Sequence, residues 1–197
     1  MNVDLLFEEL FQKLSQPNFG SSLGGELPLY IQPLPPDKQM ESEKEIMRLA
    51  SRLEKIGIKT AIVNLFDFAM TILREEDLLD TILEEEGNIN KTDMIATLDS
   101  ILDIQDVLLP RIKDIIQQNN PKYLFISGVG SVYPFIRSHG ILNNIDVLTE
   151  VKGQTNEEKC RLVLFFPGEY DRLQLKLFGH IWDENYYRGL NLNEISI

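Results

Sequence analysis

Cysteine is nearly absent from this chain. Cys160 is the single one in 197 residues, so no disulfide can form within the chain, which fits a reducing compartment. Histidine is almost as scarce: His139 and His180 are the two present, and neither has a cysteine or second histidine nearby in sequence. Zinc sites announce themselves by such spacing, so no zinc is expected. No apolar run approaches the ~20 residues that cross a bilayer. The acidic start Met1-Asn-Val-Asp4 lacks the basic region of a signal peptide. Basic residues are also few, 19 against 31 acidic ones, and they form no stripe of the kind nucleic acid requires. These absences describe a cytoplasmic protein with no membrane partner and no direct nucleic-acid partner.

What is present is the composition of a folded domain: 43% apolar and 25% charged residues. Residues 1–197 are expected to form one domain with a sizeable core. The net charge of −12 is unevenly spread. Between Arg74 and Asp106, eleven acidic residues face two basic ones, whereas residues 122–197 carry eight basic and nine acidic. The acidic block reads either as a solvated helical face or as a docking surface for a basic partner.

Along the chain, Val3, Leu6, Phe7, Leu10 and Leu14 form one helical stripe. Pro17 and the Gly20–Gly25 run break it, and residues 27–31 read as a short strand closed by Pro33, Pro35 and Pro36. A helix is expected over 37–56, with Gly57 as its stop, then a strand over 59–65. Residues 66–86 and 92–119 are helical in pattern, with breaks near 87–90 and 103–110. The runs at 123–127 and 161–166 are the third and fourth strands, with a helix over 141–148 and a polar excursion over 151–159 between them. A final helix is expected near 172–182 and a short segment at 188–192. Strands alternating with helices, and reading as continuous apolar runs, predict an α/β fold. Its sheet should be mainly parallel, of four to five strands, with helices on both faces and a helical, acidic insertion at about 74–119.

The stretch Tyr123-Leu-Phe-Ile-Ser-Gly-Val-Gly-Ser-Val-Tyr-Pro-Phe-Ile-Arg137-Ser-His139 places chemistry at the carboxyl end of a strand, where open α/β sheets meet ligands and partners. Gly128 and Gly130 suit a turn that aims amides at an anion. Yet the lysine of the triphosphatase loop and the third glycine of the dinucleotide pattern are both missing, and Tyr133 stands in the latter's place. A tight turn with Ser131 as helix cap and Pro134 in the first turn accounts for the same residues. Glu169 and Asp171 follow the fourth strand and Asp67 the second. They offer either a magnesium site or cap helices and pair with Arg137. Gly-Val-Gly-Ser is not the Gly-x-Ser-x-Gly nucleophile elbow, and Cys160 lies at the opposite sheet edge from His139. Tyr186, Tyr187 and Arg188 combine rings with a cation, as interface anchors do, or as a segment folding back on its own sheet does.

Three segments carry a resemblance: Ser127-Gly-Val-Gly-Ser-Val-Tyr-Pro-Phe-Ile-Arg-Ser-His139 with Leu142-Asn-Asn144, Phe166-Pro-Gly-Glu-Tyr-Asp171, and Asp183-Glu-Asn-Tyr-Tyr-Arg188. With Leu5-Leu-Phe-Glu-Glu-Leu-Phe11 and Leu27-Pro-Leu-Tyr-Ile31 they closely resemble the BrxB family of bacterial BREX phage-exclusion systems, collinearly over about residues 5–192. Gly140 stands where the resemblance leads one to expect a larger residue. The resemblance implies a small component of a multi-protein defence system. Its companions would be a large ATPase, an adenine methyltransferase and a phosphatase-like PglZ protein. It carries over no catalytic residue and no cofactor. It therefore implies an adaptor that binds other BREX proteins; the residues themselves leave as the alternative a degenerate nucleotide- or phosphate-binding domain with a regulatory or hydrolytic role, using the Gly128–His139 loop with Glu169 and Asp171. The surface residues expected to meet a ligand or partner are Gly128, Gly130, Ser131, Tyr133, Arg137, His139, Asn143, Glu169, Tyr170, Asp171, Tyr186, Tyr187 and Arg188.

Overall fold

The computed structural model describes residues 2–17, 19, 29–144, 148, 160–171, 173–183 and 185–195. The Gly20–Gly25 loop, the polar excursion over 151–159 and part of the helix expected over 141–148 lie outside them. Helix α1 (Val3–Leu14) starts where the Asn2 side chain accepts from the backbone N–H groups of Asp4 and Leu5, and it buries the expected stripe. Five strands lie in parallel in the order β2-β3-β4-β1-β7: β1 (Leu29–Leu34), β2 (Thr60–Asn64), β3 (Tyr123–Ser127), β4 (Arg161–Asp171) and β7 (Leu190–Asn191). The α/β fold with a mainly parallel sheet is as the sequence leads one to expect.

Alternation along the strands sorts their side chains between two helical layers, which is why they read as unbroken apolar runs. Tyr30, Tyr123, Phe125, Val163 and Phe165 face α1 and α2 (Gln39–Lys55). The Phe165 ring there stacks on Phe7 at 5.9 Å between centroids and meets Phe125 edge-on at 5.2 Å. Ile31, Val63, Leu124, Ile126, Leu162 and Leu164 face the other layer. That layer contains α3 (Leu65–Glu75), α4 (Leu79–Glu85), α5 (Lys91–Ile101), α6 (Leu109–Asn119), α7 (Val129–Val132) and α8 (Ser138–Leu142).

Three expectations need correction. Pro33 does not close β1 but lies within it. Strand β7 pairs with β1 at Tyr30 and Ile31, so the missing N–H of Pro33 falls beyond that ladder. The helix expected near 172–182 is not formed over the described residues 173–182: β5 (Gln174–Leu177) and β6 (Ile181–Trp182) form an antiparallel hairpin on β4, which continues past Phe166 to Asp171. Leu175 and Leu177 are buried between less buried Gln174 and Lys176, a two-residue period over too few residues to stand out. Ser131 does not cap a helix, because α7 begins one residue after Gly128 and encloses it. Gly140 lies against Ile104, in the wide turn Ile104–Leu108 that joins α5 to α6, and a Cβ there would displace the end of that side chain.

The segment 74–119 is helical as expected, with Pro110 in the first turn of α6. Leu98, Leu102 and Leu108 anchor it in the core. Glu75, Glu76, Asp80, Glu84 and Glu85 are all exposed. Arg111 of α6 pairs with both Glu75 and Glu76, so the acidic face is partly neutralised from within. Leu79 and Ile82 pack toward the core, but Leu83 is 59% exposed rather than turned inward.

Candidate functional site

The carboxyl ends of β2 and β3 are tied together by a residue from neither. Glu43 of α2 accepts from Ser127 Oγ at 2.8 Å, from the Gly128 N–H at 3.2 Å and from Asn64 Nδ2 at 3.0 Å. Asn64 closes β2 and also caps α3, its Oδ1 accepting from the N–H groups of Phe66 and Asp67. Gly128 has φ +75°, and a Cβ there would lie 2.5 Å from Asn64 Oδ1, so this turn admits no other residue without rearrangement. Gly130 packs as tightly, with its virtual Cβ 2.8 Å from the Phe178 ring. The anion bound by the Gly-x-Gly turn is thus the protein's own carboxylate, which removes the Gly128 amide and the Ser127 hydroxyl from a phosphate-binding role. Sequence reasoning missed Glu43. The available signal was an acid one turn into the crossover helix that starts at this sheet edge.

Beyond the turn, the chain lines a cavity of about 290 Å³ between the α7–α8 segment and the β5–β6 hairpin. Tyr133, Arg137, Ser138 and His139 form one wall, Trp182, Asp183 and Asn185 the other, over a floor that includes Phe166 and Leu177. Asp183 is committed, accepting from Tyr187 Oη at 2.7 Å, Asn185 Nδ2 at 2.8 Å and the Asn185 N–H at 3.0 Å. The Arg137 guanidinium and the His139 ring make no hydrogen bond or ion pair with any described residue. The expected pairing of Arg137 with Glu169 or Asp171 is therefore not formed. Glu169 pairs at 3.5 Å with Lys176, its cross-strand neighbour on β5, and the Lys176 ammonium sits 4.9 Å above the Trp182 ring. Asp171 ends β4 on the exposed surface, as Asn143 does α8.

The Tyr186-Tyr187-Arg188 segment divides. Trp182 and Tyr186 are 57% and 70% exposed, and Arg188 is exposed too, whereas Tyr187 is buried. Tyr170 is buried as well, its hydroxyl donating to the Tyr187 carbonyl at 2.5 Å and accepting from the Gly189 N–H at 3.2 Å. Burial holds both phenols above their ordinary pKa, and for Tyr187 the bond to Asp183 adds to this. Tyr170 and Tyr187 are pins that lock the last segment onto β4. That locking leaves Tyr186 on the exposed surface, as β6 leaves Trp182.

Among the described residues, no group of three or more His, Cys, Asp or Glu is placed to hold a metal ion, and no helix is long and apolar enough to cross a membrane. Cys160 is buried at the start of β4, at the far end of that strand from the cavity, and burial pushes its thiol up to about 12.

Comparison with known proteins adds a family. A family model described as BREX protein BrxB matches residues 61–192. The chain is similar to a BREX protein BrxB of Bacillus cereus (strain H3081.97), 32% identical over 194 residues that cover 94% of each chain. It is also similar to a BREX protein BrxB of Escherichia coli O9:H4 (strain HS), 24% identical over 172 residues, 86% of this chain and 80% of that one. No solved structure matches it.

Proposed function

This chain belongs to the BrxB family of BREX proteins, and from that membership we propose that it serves a bacteriophage-exclusion system as an adaptor, binding other BREX proteins rather than catalysing a reaction. The observation that carries the reading is the rim of the 290 Å³ cavity, where exposed Trp182 and Tyr133 stand with the uncommitted Arg137. Tryptophan, tyrosine and arginine are the residues that dominate binding energy at protein interfaces, and here they border a concavity with an apolar floor. Their supports are structural: Lys176 over Trp182, and Tyr187 and Tyr170 beneath the last segment. The partners that suit this role are the phosphatase-like PglZ protein and the large ATPase of the same system.

The test is co-purification of the tagged chain from cells carrying the whole BREX locus, compared with a Trp182→Ala/Tyr133→Ala variant. Both side chains are exposed, so the variant should melt within a few degrees of the parent. Loss of one strong anchor costs about 2 kcal/mol, roughly 30-fold in affinity, so partner recovery should fall at least that far. Undiminished recovery with the folded variant would remove the rim from the proposal.

A further inference from the structure

Strand β2 is the outermost strand of the parallel path, hydrogen-bonded to β3 along one side. Every second residue of such a strand turns its N–H and C=O outward, and soluble proteins blunt these edges with charge, proline or a bulge. Thr60-Ala-Ile-Val-Asn64 has neither charge nor proline and is rich in residues that favour strands. Ala61 and Val63 turn into the core, so Ile62 takes the opposite face, where it is 37% exposed. The edge lies along a groove of about 410 Å³ lined by Ile46 and Met47 of α2, Ile62 itself, Phe68 and Thr71 of α3, and Ile115 of α6. No residue of this groove borders the cavity beside Trp182.

We propose that β2 receives an extended peptide segment of a partner protein, which adds to the sheet as a further strand beyond β2. The chemistry that satisfies a row of outward amides and carbonyls is another extended backbone, with alternate side chains entering the groove. A second copy of this chain does not meet that need. Paired strands lie about 4.8 Å apart, and with α2, α3 and α6 all bordering the groove at this edge, two copies would bring helices against helices as their edges paired. A single strand without flanking helices avoids this. The side chains are also specified. Met47, Ile62 and Phe68 ask for apolar residues. The charged residues of the groove, Glu43 and Asp67, are both acidic, and Glu43 is already held by Ser127, Gly128 and Asn64. Asp67 makes no ion pair with any described residue, so it would take a lysine or arginine of the segment.

The experiment uses the full chain and an array of overlapping peptides of roughly 15 residues, covering the proteins encoded in the same BREX locus. Peptides that bind are remeasured in solution by fluorescence anisotropy. The expected binder alternates apolar residues and carries a lysine or arginine. Methylating its alternate backbone nitrogens should weaken it about 100-fold, because an N-methyl group removes the ladder donor. Ile62→Lys or Met47→Lys in the protein should weaken it about tenfold or more, and Trp182→Ala should leave it unchanged. Both sites are partly exposed, so one variant covers the other should either fail to fold. Three results would each overturn the proposal: no peptide binding below about 1 mM, binding indifferent to N-methylation and to both lysine variants, or a concentration-dependent dimer abolished by Ile62→Lys.

Discussion

Glu43→Ala tests whether one carboxylate truly ties the sheet edge together. Ser127 is 1% exposed and Gly128 is buried, so without Glu43 the Ser127 hydroxyl and the Gly128 amide lose their acceptor where water has little access. A buried donor left unpaired costs roughly 1–3 kcal/mol, and two together about 3. Asn64 is half-buried and can turn to solvent, so its share is small. For a chain of this size, about 3 kcal/mol lowers the melting temperature by about 6–12 °C. Urea titration followed by circular dichroism is the direct assay, with a lower midpoint and an unchanged slope as the expected signature. Glu43→Gln keeps one acceptor oxygen and should lose about half as much. An alanine variant within about 1 kcal/mol of the parent would refute the reasoning, because the two donors would then be finding other partners.

Two further outcomes follow from the same kind of accounting. Cys160, Tyr123 and Tyr187 are all held protonated by burial, Cys160 up to about 12 from an ordinary 9.0. Above about pH 9 the unfolded chain releases these protons while the folded chain keeps them, so it binds fewer protons and stability falls as pH rises. The urea midpoint should hold from about pH 7 to 8.5 and fall toward pH 11, less steeply in Cys160→Ala; a midpoint indifferent to pH would contradict this. A Cβ at Gly168 would lie 2.1 Å from the Lys176 carbonyl oxygen, so Gly168→Ala should force β5 from β4 at a cost of about 2–3 kcal/mol. Trp182, the single tryptophan, would report that opening by fluorescence ahead of the global transition; one coincident transition at parental stability would disprove it.

Much of this fold is legible because a buried parallel strand leaves an unmistakable run of apolar residues. Residues 123–127 and 161–166 announce themselves in this way, and the helical stripes of α1 and α2 complete the pattern. The hairpin escapes because its alternation, Gln174-Leu-Lys-Leu177, is four residues long, and because β4 changes sheets at Pro167-Gly168, which looks like a stop. The loop at 128–139 is recognisable as a place from its position after β3 and its glycines. What it binds is not, since Glu43 lies 84 residues from Ser127 in sequence and only the fold brings the two together. The same limit applies to Tyr186 and Tyr187. Adjacent aromatic residues look alike in a sequence, and it is the hydroxyl of Tyr170 and the carboxylate of Asp183 that decide which one turns inward.

Strand β4 runs unbroken from Arg161 to Asp171, with its first half central in the parallel sheet and its second half paired to β5. The hairpin that presents Trp182 therefore hangs from the middle of the core rather than from a loop, and Lys176 stands across from both Glu169 and Trp182 in the strand register. If the rim docks a partner as proposed, part of the freedom a docking surface surrenders on binding would already be surrendered on folding, which lowers the entropy cost of association. Such a surface favours a partner of matching shape and has little means of adapting to a poor one. Discrimination at this rim would rest on fit rather than on plasticity.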